Sequence, residues 1–265
     1  MQIITFSACQ PKTDFEKLYS DANDKLKEGN YGQAIVLFDK AISLNSSADS
    51  LYTLKGFCFY QLGDYKNCIK LAERALILNP NNDYAYYLIG VSRPNINIYD
   101  QIKHKLYSDN FNSDTIDGKL YTPYNIWYSS TGSVEKVVDI KSAIKDLSKS
   151  IELFDSYAES YNERGKLYRE IKAYDRALKD FNEAIELMTN EAEFYHQRAL
   201  LFKELGKTDL SLHDFNKAIE LEQNPFFYSN RGYLKREQLK DEKGACEDMK
   251  MAEKLGLPID DEQCK

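Results

Sequence analysis

Residues 158–191 read AESYNERGKLYREIKAYDRALKDFNEAIELMTNE, and residues 192–224 repeat the same pattern at once. Small residues recur at the same position of the pattern, at Gly165, Ala199 and Gly232, which lie 34 and 33 residues apart. The same spacing occurs near the N-terminus, at Ala22, Gly56 and Gly90. A repeat of this length indicates a pair of helices whose backbones approach each other closely at the small residues.

The repeated pattern resembles the tetratricopeptide repeat family, in which aromatic residues, Gly, Ala and Pro recur at fixed offsets. One copy reads Tyr161, Gly165, Tyr168, Tyr174, Ala177, Phe181 and Ala184. Another reads Tyr52, Gly56, Phe59, Gly63, Tyr65, Cys68, Ala72, Ala75 and Pro80. The resemblance implies an all-α fold, a right-handed superhelical solenoid of antiparallel helix pairs. It also implies a scaffold that binds a peptide or a partner protein.

The chain divides into segments of different regularity. We predict a leader or linker over 1–14, N-terminal repeats over 15–92, C-terminal repeats over 138–257 and a tail over 258–265. The segment 93–137 breaks the pattern, because Pro94 ends a helix and many Gly, Asn and Ser residues follow. Two decayed repeats with a short insertion would fill it, and a helix is expected over 138–154. Trp127 is then either core filler or a binding residue.

Composition limits the classes of function. A formal charge of -7 disfavours a nucleic-acid partner, because phosphate binding needs a basic surface. No apolar run approaches the roughly 20 residues of a transmembrane helix. We find no phosphate-binding glycine loop, no hydrolase motif and no metal-ligand spacing, so no cofactor is expected. The alternative is an enzyme or sensor whose site, with Asp100, His104 or Asp117, lies in the segment 93–137.

The first residues, MQIITFSAC, resemble the end of a bacterial lipoprotein signal, in which Cys9 becomes lipidated. The apolar stretch is short and lacks a basic start. If Cys9 is lipidated, the protein is anchored to a bacterial membrane facing the periplasm; otherwise it is cytoplasmic. The other cysteines show no Cys-x-x-Cys spacing, so we predict free, buried thiols rather than a disulfide.

Aspartates and arginines also recur with the repeat. Asp146, Asp180 and Asp214 precede Arg164, Arg198 and Arg231 by 18, 18 and 17 residues, respectively. We predict ion pairs between each aspartate and the arginine of the next repeat, with an anion-binding strip of arginines as the alternative. A fourth aspartate, Asp248, has no arginine after it, so its helix face is predicted to be exposed or covered by the tail or a partner. A monomer is expected.

The first helix of each repeat is predicted to turn one face away from its second helix, forming a peptide-binding groove. In the N-terminal half this face carries aromatic and amide residues: Tyr19, Asn23, Phe57, Tyr60, Tyr84 and Tyr87. In the C-terminal half it is more basic, with Asn162, Lys166, Arg169, His196, Lys203, Tyr233 and Arg236. The family's clamp for a C-terminal carboxylate is not matched, because Gln197 and Phe226 replace two of its residues. A looser site for carboxylates or acidic peptides remains.

Overall fold

The computed structural model describes residues 13–96, 114–116, 119–121, 140–258 and 264. The chain folds as two compact units, Met1–Asp146 and Leu147–Lys265. We call them unit 1 and unit 2 and describe each by itself. Within the described residues, no helix is both long enough and apolar enough to span a bilayer.

Unit 1 begins with five helices. They are α1 (Asp14–Lys27), α2 (Tyr31–Leu44), α3 (Asp49–Gln61), α4 (Tyr65–Leu78) and α5 (Asp83–Ser92). A 3-10 turn, Arg93–Asn95, follows α5, and two short antiparallel strands, β1 (Asp114–Ile116) and β2 (Lys119–Tyr121), form a hairpin. The sequence did not predict this hairpin. Helix α6 (Ile140–Leu153) lies within the range predicted for a helix, and the unit boundary falls inside it.

Unit 2 continues with six more helices. They are α7 (Ala158–Glu170), α8 (Tyr174–Leu187), α9 (Ala192–Glu204), α10 (Thr208–Leu221), α11 (Pro225–Leu234) and α12 (Glu242–Lys254), with a π-helical turn at Lys235–Leu239. Consecutive helices pack in pairs, and first helices of neighbouring pairs also contact each other, as α7 does α9 and α9 does α11. The predicted all-α fold of stacked helix pairs is confirmed.

Local chemistry sets the helix ends. Thr13 and Glu16 form a capping box at the start of α1, and the Asn30 and Asp64 side chains accept from backbone N–H groups at the starts of α2 and α4. The turns between paired helices need a left-handed residue, which is glycine at Gly29, Gly63 and Gly206. Lys172 and Lys240 take the same conformation, with φ of 59° and 56°.

The small residues of the repeat lie where predicted. Ala22, Ala199 and the second-helix alanines are fully buried, and so are Phe38, Phe181 and Phe215 between them. Gly165 is the tightest case, because a Cβ there would lie 2.7 Å from the Phe181 ring. Such a distance is shorter than carbon atoms tolerate, so alanine at this position of α7 would force the Phe181 ring to shift.

The arginine–aspartate pairs differ from the prediction. Arg164 donates from Nε and Nη2 to both carboxylate oxygens of Asp180, at 2.8 Å each, and Asp180 belongs to the same helix pair. Arg198 pairs with Asp214 and Arg231 with Asp248 in the same way. The predicted pairing of Asp146, Asp180 and Asp214 with the next arginine was therefore wrong.

The arginines still link neighbouring repeats, through a different group. Nη1 of Arg198 donates to Asn182 of the preceding pair at 2.8 Å, and Nη1 of Arg231 donates to Asn216 at 2.7 Å. Arg164 donates likewise to Ser148. Because a guanidinium has donors on three sides, one arginine binds its own pair's aspartate and reaches the previous pair's amide or hydroxyl.

Two more expectations at the C-terminus were wrong. Asp248 is not left unpaired, since Arg231 and Lys235 of the same chain contact it at 2.6 and 2.9 Å. Cys246 and Cys264 form a disulfide, because the end of the chain returns to within 5.1 Å, Cα to Cα, of α12. Cys58 and Cys68 are free and buried as predicted, and burial raises the pKa of each thiol to about 11.

Helices α5 and α6 are connected across the segment that separates them in sequence. Arg93, just after α5, donates to Asp146 of α6 at 2.6 Å. Asp146 occupies the aspartate position of the repeat, so it meets an arginine here as it would in a regular pair. Ala143, Leu147 and Ser150 of α6 are fully buried, in the register predicted for a second helix. Trp127, Asp100, His104 and Asp117 lie outside the described residues.

Candidate functional site

Unit 1 presents a row of half-buried aromatic rings, which we call the aromatic strip: Tyr31, Phe57, Tyr84 and Tyr87. The ring centroids of Phe57 and Tyr84 are 6.2 Å apart, and those of Tyr84 and Tyr87, which are stacked, are 5.5 Å apart. Tyr31 meets Phe57 edge-on at 6.3 Å. Packing of this kind holds the rings in place while part of each stays accessible.

The other residues predicted in this half lie near the strip. Tyr60 packs edge-on against Tyr65 at 5.8 Å and contacts the same buried cluster as Phe57. Tyr19 stacks on Phe15 one helix pair earlier, and the Asn23 amide donates to the Tyr19 carbonyl at 2.8 Å. The sequence analysis missed Tyr31, because it opens the second helix α2 and so lies outside the first-helix positions that were considered.

The first helices of unit 2 carry a connected set of polar side chains, which we call the polar chain: Arg169, Gln197, Glu193, His196 and Asn230. Nη1 of Arg169 on α7 donates to Oε1 of Gln197 on α9 at 3.0 Å. Nε2 of Gln197 donates to Oε1 of Glu193 at 2.6 Å. His196 Nε2 lies 3.0 Å from Nδ2 of Asn230 on α11. The polar chain thus crosses three first helices.

His196 is the buried centre of the polar chain, with 6% of its surface exposed. Its ring packs against Phe227, with centroids 4.6 Å apart. Its Nδ1 lies 3.5 Å from Oε2 of Glu193 and has no hydrogen-bond partner among the described residues. Burial acts to raise the pKa of Glu193, but His196, Gln197 and Lys166 outweigh it and lower that pKa.

Asn162, His196 and Asn230 occupy the same repeat position, 34 residues apart. Asn162 is 3% exposed, and its Oδ1 has no hydrogen-bond partner among the described residues. This spacing was visible in the sequence and could have revealed Asn230, which the prediction omitted. Gln197 could not be assigned as a link, because its partner Arg169 lies on a neighbouring helix.

The predicted basic residues each meet a carboxylate. Lys166 contacts Glu163 at 2.9 Å and Arg169 lies 3.6 Å from Glu204. The next pairs are Lys203 with Glu237, at 2.9 Å, and Arg236 with Glu242, at 3.0 Å. The Lys203 ammonium also lies 5.9 Å from the centre of the half-exposed Tyr233 ring. This face of unit 2 therefore presents paired charges rather than an uninterrupted positive strip.

Sequence comparison agrees with the repeats seen in the structure. A family model described as tetratricopeptide repeat matches residues 158–188 and 192–225. A second one, described as anaphase-promoting complex, cyclosome, subunit 3, matches residues 27–101. The chain therefore contains tetratricopeptide repeats, as the pattern of its sequence predicted. A search of curated proteins found no significant match.

Solved structures share the fold of this tetratricopeptide repeat protein. PilF of Pseudomonas aeruginosa superposes with a TM-score of 0.64 at 14% identity, over 91% of each chain. A tetratricopeptide repeat protein of Parabacteroides merdae has a TM-score of 0.59 at 19% identity, over 92% of this chain and 79% of that one. The thermophilic protein TTC0263 of Thermus thermophilus has a TM-score of 0.56 at 16% identity, over 89% and 98%. At these identities the likeness shows the fold alone.

Among the described residues, no group of three or more His, Cys, Asp or Glu side chains is placed to hold a metal ion. The polar chain has an acid, a base-type side chain and amides, but it has no nucleophile beside the imidazole. Its groups are hydrogen-bonded mainly to one another.

Proposed function

We propose that the protein is a non-enzymatic scaffold whose first helices bind a segment of a partner protein. The observation that carries this proposal is the aromatic strip of unit 1. Buried rings stabilise a core, but rings held by one another and left half accessible offer apolar area and tyrosine hydroxyls at low entropic cost. Aromatic residues of this kind are enriched at protein interfaces.

The spacing of the first helices suits an extended ligand. Packed helices lie about 8–10 Å apart, and an extended chain rises about 3.3 Å per residue. About three ligand residues would therefore pass each first helix. Apolar side chains of the ligand would lie on Phe57, Tyr84 and Tyr87 of unit 1.

Photo-crosslinking tests the surface directly. A benzophenone amino acid at Tyr87 should capture a discrete partner in cells that produce the protein. The matched control is the same group at Ile77, which is 70% exposed on the second helix α4. Equal capture from both positions, or capture from Ile77 alone, would contradict the proposal.

We further propose that unit 2 contributes contacts to acidic groups of a ligand, through Lys166, Arg169, Lys203 and Arg236. Their carboxylate partners are on the surface, so exchange for a ligand carboxylate costs little. Charge reversal at Lys166 and Arg169 should weaken capture, more at low salt than at high salt. Capture by the double variant at the wild-type level would remove this part of the proposal.

We also propose that Cys9 carries a lipid that tethers the protein to a membrane. Two observations support it: the Phe6-Ser7-Ala8 sequence before Cys9, and the Cys246–Cys264 disulfide, since such bonds persist in oxidising compartments. Cys9 itself lies outside the described residues. Mass spectrometry of the protein from its native membrane fraction should find diacylglycerol on Cys9, and an unmodified Cys9 would contradict the tether.

A further inference from the structure

A pocket of about 430 Å³ opens in unit 2 at the turn between α7 and α8, where the end of α9 comes close. Its lining is Lys166, Arg169, Glu170, Lys172, Tyr174 and Glu204. Three cations and two carboxylates are among these lining residues. Lys166 is held by Glu163, so Arg169 and Lys172 are the cations that a ligand would meet.

Arg169 is less well neutralised than the other half-buried arginines of unit 2. Arg164 makes two hydrogen bonds to one carboxylate, whereas Arg169 hydrogen-bonds to Gln197 and reaches Glu204 only at 3.6 Å from Nε. Burial acts to lower the pKa of both guanidinium groups. Asp180 outweighs burial for Arg164 and raises that pKa, but the glutamates near Arg169 do not, and its pKa is lowered.

Lys172 occupies a turn position where three other repeats use glycine, at Gly29, Gly63 and Gly206. Lys172 has a φ of 59°, and Lys240, at the same position of the last repeat, has a φ of 56°. A side chain in this conformation is unfavourable, and of the two lysines Lys172 is the one that lines the pocket. Among the described residues, the Lys172 ammonium is in no ion pair. Lys172 is exposed and lines the pocket together with Arg169.

The equivalent place one repeat later is closed by the protein itself. Gln238 there accepts from Thr208 Oγ1 at 2.8 Å and donates to the Lys203 carbonyl at 3.0 Å. Lys203 in turn pairs with Glu237. Glu204 occupies the position in the pocket that Gln238 occupies one repeat later. The Glu204 side chain is 42% exposed, so a ligand can displace it.

We infer that the pocket between Arg169, Lys172 and Tyr174 binds an oxyanion, a carboxylate or phosphoryl group carried by the partner segment. Arg169 offers its Nε–H once Glu204 turns outward, Lys172 offers its ammonium, and Tyr174 offers its hydroxyl. Charge-assisted hydrogen bonds from a planar guanidinium suit either group. The inference rests on the proposed function in one respect: the anion is taken to belong to a partner protein.

The test is a titration of the full chain with inorganic phosphate and, separately, with acetate, at constant ionic strength set by chloride. NMR should show the Arg169 Nε–H and the Lys172 backbone amide shifting in a saturable way. Tighter binding of phosphate points to a phosphorylated carrier, and tighter binding of acetate points to acidic side chains. No saturable shift with either anion would overturn the inference, whatever the crosslinking at Tyr87 shows.

Two matched variants separate binding from folding. Lys172→Gly should weaken anion binding about tenfold, the equivalent of one charged hydrogen bond, while the protein stays folded because glycine suits this turn. Lys240→Gly makes the same backbone change outside the pocket and should leave binding unchanged. If both variants bind like wild type, Lys172 is no part of the site and the inference fails.

Discussion

Units 1 and 2 stack the same kind of helix pair with different side-chain chemistry. In the first two helix pairs of unit 1, Leu37 and Leu71 stand at the position of Asp180, and Asp21 and Lys55 stand at the position of Arg164. Among its described residues, unit 1 joins its helices mainly by apolar packing, with two ion pairs between helices, Lys55 to Asp39 and Arg93 to Asp146. Unit 2 joins them by arginines that span three helices. The repeat therefore determines the geometry of each helix pair, but the type of contact that joins neighbouring helices can vary.

Unit 1 has a polar clip of its own, in the loops. Asp49 accepts hydrogen bonds from the side-chain amides of Asn79 and Asn82, at 2.9 and 2.8 Å. Asn82 also contacts Thr53 and caps α5. The sequence did not predict this clip, because the partners of Asp49 lie 30 and 33 residues away in sequence.

The largest difference between the units should appear at Arg198. Arg198→Ala leaves Asp214, which is 1% exposed, with an unpaired buried charge, and we expect a loss of about 3–5 kcal/mol in the free energy of unfolding. Lys55→Ala in unit 1 should cost at most about 1 kcal/mol, because Asp39 is exposed. Urea denaturation followed by circular dichroism measures both.

A second substitution identifies the stranded group. Asp214→Leu added to Arg198→Ala should recover part of the loss, since it removes the unpaired carboxylate. Asp180→Leu added to Arg198→Ala should not recover stability, because Asp180 is still paired with Arg164 in the Arg198→Ala variant. If Asp180→Leu recovers the loss, Arg198 pairs with Asp180 of the preceding repeat, as the sequence suggested.

The disulfide gives the next largest effect. The bond closes a loop with a sequence separation of 18, which corresponds to about 3 kcal/mol of stabilisation in the chain-entropy model. Reduction, or the change Cys246→Ser with Cys264→Ser, should lower the stability of α12 by up to that amount. Hydrogen exchange should localise the loss to unit 2. Identical hydrogen exchange in the oxidised and reduced protein would show that the disulfide does not stabilise the C-terminal end of unit 2.

The clip of unit 1 should have a smaller effect. Asn82→Ala removes a helix cap and two side-chain hydrogen bonds, and a cap alone contributes about 1 kcal/mol. We expect a loss of about 1–2 kcal/mol, seen as faster hydrogen exchange in α5. Asn81→Ala, one residue earlier and exposed, is the control and should change little. An equal effect of both changes would mean that the clip does not join the pairs.

The sequence predicted the helix pairs and the buried small residues because both depend on local periodicity. It predicted which residue types form the ion pairs, but not which aspartate each arginine binds. The spacings of 16 and 18 residues both bring the two side chains near each other, and only the packed helices decide between them. The polar chain and the disulfide were missed for a related reason, since each depends on where segments that are separate in sequence meet.

The smallest effect concerns the turns, where unit 1 uses Gly29 and Gly63 and unit 2 uses Lys172 and Lys240 as well as Gly206. A non-glycine residue in the left-handed region costs about 1 kcal/mol. Lys172→Gly and Lys240→Gly should therefore each raise the free energy of unfolding, by less than this amount because glycine also makes the unfolded chain more flexible. Gly63→Lys in unit 1 should lower it by a similar amount. If Lys172→Gly destabilises the protein while Lys240→Gly does not, the Lys172 side chain stabilises the fold. Its left-handed conformation would then no longer indicate a binding role, and unit 2 would differ from unit 1 in stability alone.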